Sequence, residues 1–503
     1  MIKTKVFFSL VSIMIASGSS SKAQQLYHER HRPQIHFSPK QKWTNDPNGM
    51  VYHNGTWHLF FQHYPDSTIW GPMHWGHATS KDLVHWQEQP IALYPDSLGY
   101  IFSGSAVVDK NNTAGFGKNA LVAIFTHHDP QGEKEKRNNF QNQSIAYSTD
   151  EGRTWTKYAG NPVLKNPGIT DFRDPKVCWY EPQKKWIMTL ATKDRITFYS
   201  SPDLKGWTKE SEFGKELGAH GGVWECPDLF QLDDDNGKKV WVLIVSINPG
   251  GPNGGSATQY FLGDFDGSRF APVDTNTRWI DYGPDNYAGI TWSNTGNRKI
   301  FLGWMSNWLY ANIVPATTWR NAMTIARELK LKRTGNEMYV ASEPVAELKK
   351  IQSKPVVLHN IQVQKSFDVA SKAGKITFPA RLDLNFEKNS DYSIVLSNDA
   401  GEEVAIGYNK AQQQYYIDRS RSGQTNFQKD FPARHVAPRL SKAGSMDLSL
   451  ILDVNSVEMF ADSGLTVMTS IYFPTKPFTH IRIESPENVT IKKLTVSSLK
   501  SIW

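Results

Sequence analysis

Ser148-Thr149-Asp150-Glu151-Gly152-Arg153-Thr154-Trp155 is the stretch on which the reading of the fold turns. A serine and an aspartate two residues apart, followed by glycine and closed by tryptophan, form a turn between two strands. The pattern recurs in register, as Ser80-Lys81-Asp82 leading to Trp86 and as Ser201-Pro202-Asp203 leading to Trp207. The tryptophans lie 69 and 52 residues apart, enough for four strands and an elaborated loop. One Ser-x-Asp means little, because such turns are common; three in register predict a β-propeller. At that period residues 30–345 hold about five blades.

The rest of the chain agrees with an all-β fold. Short runs such as Trp57-His58-Leu59-Phe60-Phe61 and Val240-Trp241-Val242-Leu243-Ile244-Val245 are separated by Gly, Asn, Asp and Pro, and no long amphipathic helix precedes residue 340. Around Pro344 the pattern changes: Val345, Leu348 and Ile351 have helical spacing in a short linker, residues 346–359. Segments such as Leu448-Ser449-Leu450-Ile451-Leu452 and Ser456 to Phe460 then alternate again, so residues 360–503 read as a β-sandwich. The expected architecture is a five-bladed β-propeller followed by a C-terminal β-sandwich, two domains in a chain of 503 residues.

Residues 1–23 read as a secretory signal peptide: Lys3 and Lys5, an apolar stretch Val6 to Ala16, and Ser21-Lys22-Ala23 as the cleavage site. The apolar stretch is about half of the roughly 20 residues that a membrane span needs. The expectation is export to the periplasm or the medium, with no membrane association. Removing the segment takes away three lysines and leaves 53 basic against 49 acidic residues, a net charge of +4 with no nucleic-acid signal. The two cysteines, Cys178 and Cys226, lack metal-ligand spacing and read as buried structural thiols; a disulfide between them is left open by the sequence and is not predicted. Seventeen Trp and nineteen Tyr point to aromatic surfaces that stack on sugars or fill all-β cores.

Three acidic motifs could carry chemistry. Asn45-Asp46-Pro47-Asn48-Gly49 is in isolation an ideal turn, and Phe172-Arg173-Asp174-Pro175 an Arg–Asp pair ending a strand. Trp224-Glu225-Cys226-Pro227-Asp228 is harder to explain structurally, because its glutamate falls inside an apolar strand. Burial there raises a carboxyl pKa and suits a general acid. Glycoside hydrolysis needs one ionised carboxylate and one protonated carboxyl. Asp46, in a polar turn, suits the first role and Glu225 the second. Asp174, held by Arg173, would stay an anion and hydrogen-bond sugar hydroxyls. In a propeller the inner strands bring residues 128 and 51 positions apart to one funnel.

These motifs resemble those of glycoside hydrolase family 32, the fructan hydrolases and invertases. Matching stretches also include Phe102-Ser103-Gly104-Ser105, Gly303 to Trp308, Thr318-Trp319-Arg320 and Asp453 to Gly464, in the family's order across nearly the whole chain. The resemblance implies a five-bladed propeller joined to a β-sandwich and retaining hydrolysis of β-fructofuranosides without a cofactor. It implies that Asp46 is the nucleophile, Glu225 the acid/base and Asp174 the stabiliser. It places Asn45, Gln62, Trp70, Phe102, Ser103, Arg173, Trp304 and Trp319 around the terminal fructose of a fructan or fructo-oligosaccharide substrate. Thr44 departs from the methionine more usual in the family. Asn307 to Arg320 looks more like the exo-fructanases than the plant invertases, so exo action on levan, inulin or sucrose is expected.

Rival readings remain at this stage. The box at Ser148–Trp155 also occurs in sialidases, but no arginine cluster or early Arg motif accompanies it. His53, His58, His63, His74, His77 and His85 suggest a metal enzyme, but no His-Glu-x-x-His pattern occurs, and histidines on exposed strand faces are the simpler explanation. A fructan-binding protein without activity would not need three carboxyls in their motifs. An endo-levanase or a fructosyltransferase shares the covalent chemistry and is not separated by sequence. Linkage preference, the role of the sandwich and the oligomeric state are not legible.

Overall fold

The structure, a computed structural model, describes residues 26–503; the expected signal peptide lies outside the described residues. Strands between Lys42 and Pro344 form five sheets of four or five strands each, taken up one after another along the chain. The innermost strands are β1 (Lys42–His53), β2 (Tyr100–Asp109), β3 (Phe172–Tyr180), β4 (Val223–Asp233) and β5 (Tyr287–Thr291). Each adjoins the next and β5 adjoins β1, so the sheets close into a ring. Two contacts fasten the closure. Trp319–Arg320 pairs parallel with the start of β1, and Ser293 N–H donates to the Met50 carbonyl.

The apolar runs are explained by what lies on both sides of each sheet. Side chains alternate between faces along a strand. Thus Val242 and Ile244 pack against the fifth sheet, whereas Leu243 and Val245 pack against the third. In the first sheet Leu59 and Phe61 face the fifth sheet, and Phe60 faces the second. Five separate apolar cores result, one between each neighbouring pair of sheets. A strand buried on both faces cannot show a polar–apolar alternation, so its sequence becomes a continuous apolar run.

The three Ser-x-Asp motifs occupy equivalent places, each joining the third and fourth strands of its sheet. Asp82, Asp150 and Asp203 each accept a hydrogen bond from their own motif's serine and from backbone N–H groups just beyond. The fourth sheet has the same turn, in which Asp266 accepts from the backbone of Ser268 and Arg269. It escaped the sequence repeat because neither the leading serine nor the closing tryptophan is present.

Strands from Val356 to Ser498 form two six-stranded sheets whose facing sides share one core. The linker helix is a 3-10 segment, Ala346–Ile351, with Leu348 and Ile351 buried. Strands β6 (Ser456–Ala461) and β7 (Thr466–Ile471) are buried along their whole length. Their outer faces dock on the five-sheet unit through fully buried charges. Arg327 pairs with Asp281 and with Glu458 of β6, and Arg419, from a strand of the other six-stranded sheet, pairs with Asp285. His36 bridges Asp453 and Glu458 at 2.7 and 2.9 Å. Burial alone would lower the His36 pKa, but the hydrogen bonds that its ring donates to both carboxylates outweigh it and hold it at about 9.

Two sequence expectations need correction here. His58 and His77 do not lie on exposed strand faces: they are buried, stacked and 3.1 Å apart, because both faces of the first sheet are covered. The two thiols are free, but only Cys226 is buried; Cys178 is partly exposed at the far end of β3. No helix among the described residues is long and apolar enough to cross a membrane.

Candidate active site

Every inner strand is irregular near its beginning. Pairing registers slip between Thr44 and Pro47, between Ile101 and Gly104, around Asp174, between Glu225 and Asp228, and between Tyr287 and Ile290. These slips are bulges, which re-aim side chains from a strand. The prolines Pro47, Pro175 and Pro227 fall at three of them, where no ladder N–H is needed. Asp174 and Cys226 have left-handed backbones, with φ of 63° and 45°. The acidic motifs are therefore bulges within strands; neither Asp46 nor Asp174 stands in a free turn or at a strand end.

The bulges converge on a cavity of about 350 Å³ at the common starting end of the strands. Asp46, Asp174 and Glu225 all line it, with Asn45, Gln62, Trp70, Phe102, Ser103 and Arg173. Asp46 accepts from Ser103 Oγ at 2.7 Å, Asn45 Nδ2 at 2.9 Å and the Cys226 thiol at 3.5 Å. Asn45 is itself fixed by the Trp43 indole N–H, 2.8 Å from Asn45 Oδ1. Gln62 Nε2 is buried with no hydrogen-bond partner among the described residues.

The charge arrangement differs from the expected one. Arg173 was expected to hold Asp174, but its guanidinium binds Asp171 at 2.5 Å and Glu225 at 2.9 Å, and stands 4.0 Å from Asp174. Glu225 accordingly lies in a polar setting rather than an apolar one, with the Tyr287 hydroxyl donating to its other oxygen. Asp174 instead takes the Cys226 backbone N–H at 3.0 Å. Burial pushes the Asp174 pKa up to about 7, with Arg173 opposing and Glu225 and Asp46 adding to the rise. Burial and then Glu225 also raise Asp46, against the pull of the Ser103 and Asn45 hydrogen bonds. Cys226 is more than a structural thiol: burial first and the surrounding carboxyls next push its pKa well up, so it stays a donor between Asp46 and Asp174.

Two expected lining residues are elsewhere. Trp304 is fully buried behind Trp308, with ring centroids 4.9 Å apart, and it is Trp308 that reaches the cavity. Trp319 is buried beneath the Arg32 guanidinium, 4.4 Å from its ring. The wall also includes residues that sequence reading missed: His128, Gln141, Asp171, Glu133 and Asn312. His128 stacks on Phe102 at 4.2 Å, and Glu133 reaches His128 from the short helix α1 (Pro130–Lys134). None sits in a distinctive motif; a stack between the second sheet's inner strand and its neighbour is a product of register alone.

Comparison with known proteins assigns the class and then the family. The N-terminal domain model of Glycosyl hydrolases family 32 matches residues 36–342, and the family's C-terminal model matches 344–498. A levanase of Bacillus subtilis is 44% identical over 518 residues, covering 100% of this chain and 75% of that protein. An extracellular exo-inulinase of Aspergillus niger is 40% identical, covering 95% of this chain and 96% of its own. The crystal structure of exo-inulinase from Aspergillus awamori superposes with a TM-score of 0.86 at 37% identity, over 95% of this chain and 100% of that one. By class the protein is a glycoside hydrolase. The chain belongs to glycosyl hydrolases family 32.

Proposed function

We propose that the protein is an exported, retaining exo-β-fructosidase that releases terminal fructose from levan, inulin and sucrose. The observation that carries this reading is the convergence of Asp46, Asp174 and Glu225, from three separate strands, on one sugar-sized cavity. The relatives' names, levanase and exo-inulinase, supply the substrate class. In this reading the five sheets are propeller blades, residues 30–345 are the catalytic domain, 346–359 the linker and 360–503 the β-sandwich. Residues 1–23 are the signal peptide.

The proposed mechanism is as follows. An Asp46 carboxylate oxygen attacks the anomeric carbon of the terminal fructose; the bond to the leaving oxygen breaks, and that oxygen takes the Glu225 proton. The Glu225 carboxylate then takes a proton from water, whose oxygen attacks the same carbon and releases Asp46. Ser103 and Asn45 favour the anionic nucleophile by donating to it. Five carboxyls, those of Asp46, Glu133, Asp171, Asp174 and Glu225, line the pocket with one guanidinium, and the acid role needs a proton on Glu225. Asp174 accepts from ring hydroxyls and gains strength as positive charge develops on the ring.

A time course of products on levan, inulin and sucrose tests the proposal. Fructose alone from the earliest points supports it. A shrinking ladder of oligosaccharides would make the enzyme endo-acting, and oligomers growing from sucrose would make it a transferase.

A further inference from the structure

The five inner strands all begin at the carboxyl cavity and run away from it, so their later residues meet at the other end of the ring. There residues 107–108, 176–179, 228–231 and 291–294 line a second cavity, of about 610 Å³. At about 3.3 Å per residue, the step from Asp174 to Trp179 separates the two by roughly 17 Å. A buried knot lies between them: Asp228 Oδ2 accepts from Lys176 Nζ at 3.0 Å and from the Thr291 N–H and hydroxyl at 2.7 Å each.

The second cavity holds unused binding capacity. Trp179 and Trp241 are both partly exposed within it, and the Trp241 indole N–H has no acceptor among the described residues. The side chains of Gln231 and Asn111, also in the wall, make no hydrogen bond among the described residues. The Lys299 ammonium has only the Gly296 carbonyl, 3.4 Å away, and burial lowers its pKa. Of the four lysines in the wall, Lys176 and Lys184 are paired with Asp228 and Glu181 and Lys110 is exposed, which leaves Lys299 as the part-buried donor; an apolar ligand would leave the amides and that ammonium unpaired. A neutral polyhydroxy ring satisfies all of them, with its C–H face on an indole and its hydroxyls on the amides and the lysine.

We propose that this far-end cavity is a second carbohydrate-binding site that takes one or two neutral sugar residues, with Trp241 and Trp179 against the ring faces and Gln231, Asn111 and Lys299 on the hydroxyls. It shares no residue with the carboxyl cavity. Free monosaccharide and a residue of a longer chain present the same chemistry.

The test is calorimetric titration of full-length Asp46→Ala protein with 1-kestose, alone and with Trp241→Ala added. The expected result is a binding event that Trp241→Ala removes or weakens by about ten-fold or more. If Trp241→Ala fails to fold, the pair Gln231→Ala and Lys299→Ala must produce the same loss. Binding unchanged in every folded variant overturns the proposal. Titration with fructose and retention in levan-containing gels then separate the two sources, and a loss in neither also overturns it. Turnover of sucrose by Trp241→Ala in the otherwise native protein should stay within about two-fold. That assay, run on the native enzyme, reports failure of the catalytic reading separately.

Discussion

Arg173 binds Glu225 and not the aspartate that follows it in sequence: its guanidinium lies 2.9 Å from Glu225 Oε1 but 4.0 Å from Asp174. Burial lowers the Arg173 pKa, but the carboxylates around it more than compensate and keep it charged. A planar guanidinium spans Asp171 and Glu225 at once, which an ammonium cannot do. Arg173→Lys should therefore cut kcat by about 100-fold, because Glu225 loses its orientation. A pH–rate profile should show its alkaline limb displaced, because that limb reports the general acid; an unchanged profile would mean that Arg173 acts only on substrate.

Asp46→Ala should reduce turnover by about 10⁴-fold or more, as expected for a covalent nucleophile. The circular dichroism spectrum and melting temperature should change little, because Ser103, Asn45 and Cys226 retain solvent or one another at the cavity wall. Measurable turnover at the native rate would remove the nucleophile assignment.

Glu225→Gln should be slow on fructans but partly recovered on substrates whose leaving group needs no proton. The comparison is kcat on levan against kcat on an activated aryl fructoside. Equal losses on both would argue against an acid role.

Asp174 has a pKa of about 7 in the fold, above its unfolded value of about 3.9. The folded state thus holds a proton that the unfolded chain releases, and stability falls as pH rises between those two values. Asp174→Asn should melt a few degrees higher than the native protein at pH 8, with the difference closing towards pH 4, and should lack activity throughout. Differential scanning calorimetry at both pH values checks it.

His36 behaves in the same sense at higher pH. Its folded pKa of about 9 exceeds the unfolded 6.5, so its contribution is complete below pH 6.5 and lost as pH rises through 9. His36→Gln leaves Asp453 buried without its cation, while Glu458 keeps Arg327, and should cost about 3–5 kcal/mol near pH 6. Urea unfolding at pH 6 and pH 10 should show the gap narrowing at the higher pH.

The sequence by itself determined the strand content, the turn that recurs at Asp82, Asp150 and Asp203, and the three carboxyls that meet in one cavity. Each is written locally: a turn needs its Asp and Ser within a few residues, and Asp46 and Asp174 each stand directly before, and Glu225 two residues before, a proline that marks a bulge. Tertiary structure alone decided which partner each charge takes. Arg173 and Glu225 are 52 residues apart, and His36 and Glu458 are 422 apart. It also decided that Trp308 and not Trp304 reaches the cavity, that Cys226 lies between two carboxyls, and that β6 and β7 dock on the ring of sheets. Bulges rotate side chains by amounts that strand periodicity does not encode, and buried charges choose neighbours by distance in space. A local pattern carries neither.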